Sequence, residues 1–205
     1  MKLKRFFLPL ITALALSGCS EEAPQSSKYT TLDTPITVQD LPVVTELFSL
    51  SCDHCRSIET VIPAIETAAN VKIGKTHVTF NESATLTALI YYAAMTQVDT
   101  PPPAGLTDDL FTFVQEQQSK DSDKNRAILN ELFAKYGLTS PFDLTEAQQQ
   151  VMFAEMEKAD QITVASEITS VPTFIVNGKY VVNTRAHESA EDLADTLKML
   201  MAKGQ

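Results

Sequence analysis

Cysteine is scarce in this sequence and basic residues are outnumbered. The 205 residues include three cysteines, and 16 lysines and arginines stand against 26 acidic residues. The formal net charge of −10 argues against a nucleic-acid partner, because phosphate binding requires a basic surface. The apolar stretch at residues 6–16 is shorter than the roughly 20 residues that a transmembrane helix needs. We find no internal repeat, no low-complexity tract, no phosphate-binding loop and no serine-nucleophile elbow.

The first 18 residues have the pattern of an export signal. Three basic residues precede the apolar stretch, and small residues then lead to Cys19. The pattern resembles a bacterial lipoprotein signal, in which Cys19 becomes the lipidated first residue; a cleaved secretory signal without lipid is the alternative. The resemblance implies a periplasmic protein attached to a bacterial membrane, and Ser20 favours the outer membrane. Residues 19–28 are polar and predict a flexible tether.

The segment Cys52-Asp53-His54-Cys55 follows a run at residues 43–50 that predicts a buried strand, and it opens an amphipathic helix. A C-x-x-C at a strand-to-helix junction is typical of a thiol–disulfide redox site. Cys52 would sit at the helix N-terminus, where free N–H groups and the dipole stabilise a thiolate. Cys55, one turn further, could resolve a mixed disulfide. Zinc sites use the same spacing, and a permanently closed disulfide is a further alternative.

The rest of the pattern predicts an α/β domain with a helical insertion. The run at 43–50, a helix at 52–70 kinked by Pro63, and a strand at 71–80 form a β-α-β unit with a right-handed crossover. Strand character returns at 173–182, with Asn177-Gly178 as a hairpin turn, before a closing helix. The predicted domains are residues 29–80 with 160–205, and a helical domain at 81–159.

Two groups of side chains favour ordinary structural roles. The apolar helical residues Met152, Phe153 and Met156 are predicted to belong to the core rather than to a cofactor pocket. His77 and His187 are too scattered along the chain to suggest a metal site, so we expect ordinary surface or core histidines.

Four segments resemble the DsbA family of periplasmic thiol:disulfide oxidoreductases. They are Glu46–Cys55, similar to its active-site region; Lys75–Phe80, similar to its next strand; Val171–Tyr180, similar to its cis-proline strand and hairpin; and Tyr29–Leu32, similar to its first strand. The resemblance implies a thioredoxin fold with an inserted all-helical domain. It also implies a monomer that oxidises thiols of folding exported polypeptides with its own disulfide and no other cofactor. A membrane, quinone-linked protein of DsbB type would reoxidise it.

The resemblance and the local chemistry together suggest roles for the C-x-x-C residues. Cys52 is expected to be the exposed, reacting sulfur and Cys55 the resolving thiol. His54 would stabilise the Cys52 thiolate and so make the disulfide a stronger oxidant; the alternative is a solvent-facing histidine. Asp53 departs from the family, which usually has proline there, and its charge opposes the thiolate, so a milder oxidant is expected.

Two further pairs complete the predicted site. Pro172 is expected to be cis after Val171, beside the disulfide, with the Val171 backbone free to pair with a bound polypeptide; a trans proline at a strand edge is the alternative. Glu46 and Lys75 lie in apolar strands. The resemblance places them beneath the active site, where they could move protons as Cys55 ionises, whereas two side chains reaching solvent is the other interpretation.

The sequence therefore predicts an enzyme, a dithiol oxidase acting through Cys52 and Cys55. A periplasmic disulfide reductase or isomerase is the alternative within the same class, although no dimerisation module precedes Tyr29. From a different class, a metal-handling lipoprotein could use the two cysteines and His54 as ligands.

Overall fold

The computed structural model describes residues 28–204. The predicted signal, Cys19 and residues 19–27 of the predicted tether lie outside the described residues. Among residues 28–204, no helix is long and apolar enough to cross a membrane. In chain order the elements are β1 (Tyr29–Thr31), β2 (Val44–Phe48), α1 (Asp53–Glu59), α2 (Ile62–Ala69), β3 (Ile73–His77), α3 (Glu82–Met95), α4 (Leu106–Thr112), a π-helical turn (Phe113–Gln117), α5 (Ser122–Lys135), α6 (Glu146–Ala165), β4 (Thr173–Val176), β5 (Tyr180–Val182), a 3-10 turn (Thr184–Ala186) and α7 (Ala190–Ala202).

The five strands form one mixed sheet in the order β1-β5-β4-β2-β3. Strand β2 is parallel to β3, as a β-α-β unit requires, and antiparallel to β4. All five residues of β2 are buried, which explains why its sequence lacks the alternation of a half-exposed strand. Asn177 and Gly178 adopt positive φ angles of 55° and 65° in the β4–β5 hairpin, the conformation that an Asn-Gly turn favours.

The helix after the C-x-x-C is two helices rather than the single kinked helix that the sequence predicted. Helix α1 ends at Glu59, and α2 begins at Ile62 with Pro63 in its first turn. Proline has no N–H to bond to the preceding turn, so it is favoured where a helix starts rather than inside one. Val61, at the break between the two helices, is exposed.

The segment between β3 and β4 contains helices α3 to α6, in the position of the predicted insertion. Helix α6 is continuous over 20 residues and begins with a capping box between Thr145 and Gln148. The predicted boundary between residues 159 and 160 falls within α6, and the division into two domains stays a prediction. Met152 is buried, but the prediction for Phe153 was wrong, since 54% of it is exposed. Adjacent helical residues point about 100° apart, so one core face cannot hold both.

The core beneath the disulfide is shared between the sheet and the inserted helices. One cluster of buried residues joins Phe48, Leu50 and Cys55 with Phe111 and Phe133. A second cluster lies between the sheet and helices α2 and α7, and includes Val44, Phe174 and Leu197. The segment that carries the C-x-x-C therefore packs against the insertion, whereas the other end of β2 packs under α7.

Candidate active site

Cys52 and Cys55 form a disulfide at the start of α1, as the sequence predicted. Cys52 is the N-cap residue and is partly exposed, while Cys55 is fully buried. The backbone N–H of Cys55 donates to Cys52 Sγ at 3.1 Å. Cys52 is therefore the more accessible of the two cysteines, and a backbone N–H group faces its sulfur at the start of the helix.

The Val171–Pro172 peptide bond borders the disulfide and is cis, as predicted. Cys52 Sγ lies 3.6 Å from the carbonyl oxygen of Val171. The Thr184 hydroxyl donates to the Pro172 carbonyl at 3.0 Å and so ties the strand to the 3-10 turn that follows β5. The carbonyl of the residue before Pro172 therefore lies next to the Cys52 sulfur.

Asp53 and His54 occupy the first turn of α1, and both are exposed. Residue 53 therefore places a carboxylate beside the helix N-terminus that Cys52 caps. The exposure of His54 agrees with either of its two interpretations, since a histidine that acts on the Cys52 sulfur and one that merely faces solvent would both be accessible. The role of His54 stays a prediction.

Glu46 and Lys75 are direct partners in the β2–β3 register and form an ion pair. Glu46 is fully buried, so the interpretation that both side chains reach solvent is wrong for Glu46, while the Lys75 side chain retains 20% exposure. Burial raises the pKa of the Glu46 carboxyl to about 7, although the charge of Lys75 acts in the opposite direction. Within residues 28–204, Glu46 Oε1 has no hydrogen-bond partner.

Glu59 is a third member of this group, and the sequence reasoning missed it. Lys75 Nζ contacts the Glu59 carboxylate as well as that of Glu46. Burial opposes the charge on Lys75, but the two carboxylates outweigh it and raise the pKa of the ammonium. A signal was present, because Glu59 lies four residues after Cys55 and so shares its helix face.

Arg56 holds the other side of α1 against the insertion. Its Nε donates to Asp108 Oδ1 at 3.1 Å and its Nη2 to the Thr112 hydroxyl at 2.7 Å, while Nη1 contacts Glu116. These partners belong to α4 and the π-helical turn. The residue directly after Cys55 therefore links α1 to the inserted helical segment, which no local pattern had indicated.

His77 and His187 lie in different environments. His77 is fully buried in the core, and burial lowers its pKa to about 4. His187 is partly exposed and bonds to the Asn183 carbonyl and the Thr196 hydroxyl, each at 2.9 Å. The part of the chain that the structure describes contains no group of three or more residues arranged to hold a metal ion.

A disulfide with one partly exposed cysteine, at a helix N-terminus and beside a cis-proline that directly precedes a strand of the same sheet, defines a thiol:disulfide oxidoreductase of thioredoxin fold. The family model described as thioredoxin matches residues 40–198. The chain belongs to the thioredoxin family, and its curated relatives are DsbA-type thiol:disulfide oxidoreductases.

Curated relatives match along their whole length. The thiol:disulfide interchange protein DsbA of Pectobacterium carotovorum subsp. carotovorum is 28% identical over 218 residues, covering 98% of this chain and 100% of the relative. The DsbA of Escherichia coli is 26% identical over 216 residues, with the same coverage.

Solved structures share the fold. The disulfide oxidoreductase DsbA from Proteus mirabilis superposes with a TM-score of 0.66 at 22% identity, over 85% of this chain and 95% of that one. A complex of Proteus mirabilis DsbA with a non-covalently bound peptide, PWATCDS, gives a TM-score of 0.63 at 20% identity, over 88% and 99% of the two chains.

Proposed function

We propose that this protein introduces disulfide bonds into exported polypeptides by giving up its Cys52–Cys55 disulfide. The observation that carries the proposal is the position of Cys52 Sγ, which is accessible and lies 3.6 Å from the Val171 carbonyl. A polypeptide that pairs with the Val171 backbone would bring a cysteine to that sulfur. The DsbA relatives and the peptide bound to the Proteus mirabilis protein support this assignment.

The reaction is two thiol–disulfide exchanges. A substrate thiolate attacks Cys52 Sγ, the bond between the two enzyme sulfurs breaks, and Cys55 leaves as a thiolate that takes up a proton. A second substrate thiolate then attacks the substrate sulfur of the mixed disulfide, and Cys52 leaves as a thiolate. The substrate loses two electrons and two thiol protons in total, and the enzyme disulfide becomes a dithiol.

The thiolate of Cys52 is the better leaving group in the second step when its pKa is low. The Cys55 N–H at 3.1 Å and the N-terminus of α1 supply that stabilisation, and His54 adds a donor or a positive charge. Asp53 opposes it. We expect the enzyme to remain an oxidant that is somewhat milder than a family member with proline at this position.

Glu46 and Lys75 are the groups that exchange the proton of Cys55. A carboxyl with a pKa of about 7 can both donate and accept a proton near neutral pH, and Glu46 Oε1 has no partner among the described residues that would compete for it. Glu59 shares Lys75 and so helps to set the charge of this group.

The reoxidising partner and the location follow from the family resemblance. A quinone-linked membrane protein of DsbB type would restore the disulfide, and lipid on Cys19 would hold the enzyme, as a monomer, at a membrane facing the periplasm. Mass spectrometry of the protein extracted from membranes tests the lipid directly.

The equilibrium constant of the Cys52/Cys55 pair with glutathione decides the direction of the reaction. A potential near −120 mV, that of the family's type member, supports the oxidase, and a value near −200 mV or lower supports a reductase or isomerase. Cys52→Ser is the control and should abolish thiol oxidation of a reduced model peptide. A stoichiometric metal in protein purified with reduced thiols would instead favour the metal-handling function.

A further inference from the structure

Leu50 lies two residues before Cys52, and both of its backbone polar groups are held by side chains from elsewhere in the chain. Its N–H donates to His77 Nε2 at 2.9 Å, and His77 ends strand β3. Its carbonyl accepts from Gln115 Nε2 at 2.9 Å, and Gln115 belongs to the π-helical turn. Leu50 itself is fully buried. The two peptide groups that flank it, together named the Leu50 peptide, are therefore held on one side by the sheet and on the other by the insertion.

The tautomer of His77 is set by its second nitrogen. Nδ1 lies 2.9 Å from the Val78 carbonyl, which can only accept, so Nδ1 carries the proton and Nε2 is the acceptor for the Leu50 N–H. The backbone N–H of His77 donates to the Tyr92 hydroxyl at 3.1 Å, and the ring packs edge-on against Phe48 at 5.1 Å. The low pKa of His77 keeps the ring neutral near pH 7, so the acceptor is retained.

The Leu50 peptide leads directly into the reactive turn. The N–H of Cys52 donates to the Ser49 carbonyl at 3.0 Å, which closes a turn around Leu50 and Ser51. Cys52 Sγ then receives the Cys55 N–H at 3.1 Å. A displacement of the Leu50 peptide would move Cys52 relative to α1, and the hydrogen bond that stabilises its thiolate would lengthen.

We propose that His77 and Gln115 are positioning residues that hold the Leu50 peptide and thereby keep the Cys52 sulfur against the N-terminus of α1. This inference rests on the proposed function, because it assigns to the two residues a share in the redox equilibrium of Cys52 and Cys55. It also gives the inserted helices a direct part in that equilibrium, since Gln115 belongs to them.

The test compares His77→Phe, which keeps a ring without an acceptor, with His77→Gln, which keeps an acceptor. The equilibrium constant with glutathione is measured for each purified protein, together with the pH titration of the Cys52 thiolate. We expect His77→Phe to shift the equilibrium at least threefold towards the disulfide form, about 14 mV, and to raise the pKa of Cys52. His77→Gln should recover at least half of the shift.

The matched control is Leu197→Ala, which weakens the core under α7 at a site away from the disulfide. It should lower stability without moving the glutathione equilibrium. The proposal is overturned when His77→Phe leaves that equilibrium unchanged, or when His77→Phe and His77→Gln move it equally. A wild-type glutathione equilibrium typical of a reductase or isomerase would contradict the oxidase function alone, because the differences between variants would still report on positioning.

Gln115→Met provides a second route if His77→Phe does not fold. Gln115 is partly exposed, so its loss should be tolerated, and only the bond to the Leu50 carbonyl disappears. We expect a shift in the same direction of about twofold, roughly 9 mV. An unchanged equilibrium, or one moved towards the dithiol form, would contradict the proposal.

Discussion

Two groups of charged side chains flank helix α1, and in each group one cation lies between two carboxylates. The two groups differ in their exposure to solvent. On one side Lys75 lies between Glu46 and Glu59, and on the other Arg56 lies between the carboxylates of two residues of the insertion. Glu46 is fully buried, whereas the side chains that pair with Arg56 are more than half exposed. In the buried group, loss of solvent raises the pKa of the Glu46 carboxyl to about 7. Loss of solvation, rather than the number of charges, prepares a group for proton exchange.

Removing Lys75, the central cation of the buried group, should cause the largest loss in the free energy of unfolding. Lys75→Met leaves two carboxylates without their partner, and breaking a buried pair in this way costs about 3–5 kcal/mol. Denaturant unfolding of the oxidised protein at pH 7 measures the loss. Lys72→Met is the control, because Lys72 is almost fully exposed and pairs with Glu66 at the surface. A loss for Lys75→Met as small as that of the control would contradict the comparison.

Glu46→Gln should change how stability depends on pH. Burial raises the pKa of Glu46 from 4.5 to about 7, so in this range the folded protein binds a proton that the unfolded chain has released. The free energy of unfolding of the wild type should therefore fall, relative to that of Glu46→Gln, by roughly 3 kcal/mol as the pH rises from 4.5 to 7. Urea unfolding of both oxidised proteins across this range gives the difference.

His77 and Glu46 have opposite effects on how the free energy of unfolding depends on pH. The pKa of His77 is lowered from 6.5 to about 4, so stability from this group is present above pH 6.5 and is lost as the pH falls towards 4. The two effects nearly cancel in the wild type, and Glu46→Gln should expose the rising profile of His77. Parallel profiles of the wild type and Glu46→Gln would show that Glu46 does not titrate in this range.

Removing Arg56, the central cation of the exposed group, should change the free energy of unfolding only slightly. Arg56→Met should lower the free energy of unfolding by about 1 kcal/mol or less, because exposed ion pairs are well solvated and screened. About 1 M sodium chloride should remove most of the difference from wild type, while the effect of Lys75→Met should persist. An effect of Arg56→Met that is insensitive to salt would mean that the hydrogen bond to the Thr112 hydroxyl, rather than the ion pairs, links α1 to the insertion.

Removing the charge of Asp53 should have the smallest effect, a small change in the pKa of the Cys52 thiolate. Asp53 is a further acid on α1, and no ion pair is found for it within residues 28–204. Asp53→Asn should lower the pKa of the Cys52 thiolate by less than about 1, as expected for one charge near the surface. The pH titration of the reduced protein measures this. Asp195→Asn is the control and should leave the pKa of Cys52 unchanged, since Asp195 is an exposed acid of α7, away from the disulfide. A rise in the pKa after Asp53→Asn would contradict the expectation.

Short-range patterns predicted much of the fold. The strand at 44–48 is buried along its whole length, although Thr45 and Glu46 are polar, and it lies inside the sheet between β4 and β3. The Asn-Gly pair marked its hairpin, and the C-x-x-C marked the start of α1. Such features depend on a few neighbouring residues, so they can be recognised without knowledge of the rest of the chain.

Other features could not be predicted because they depend on several elements at once. The exposure of Phe153 and the burial of Met152 follow from how α6 docks, and either residue alone would fit a core. The break at residues 60–61 required a choice between a kink and a restart, and Pro63 permits both. The sequence around Arg56 is that of an ordinary helix, and its partners are determined by the packing of α4 against α1.

The amino-acid sequence by itself determined that two cysteines, one turn apart after a buried strand, would form a redox pair at a helix N-terminus. Only the tertiary structure decided that Lys75 joins Glu46 to Glu59, and that His77 and Gln115 reach the same peptide at Leu50. The physical reason is the range of the interactions. Strand, turn and cap preferences act over a few residues, whereas desolvation and hydrogen bonding in a core depend on segments that only folding brings together.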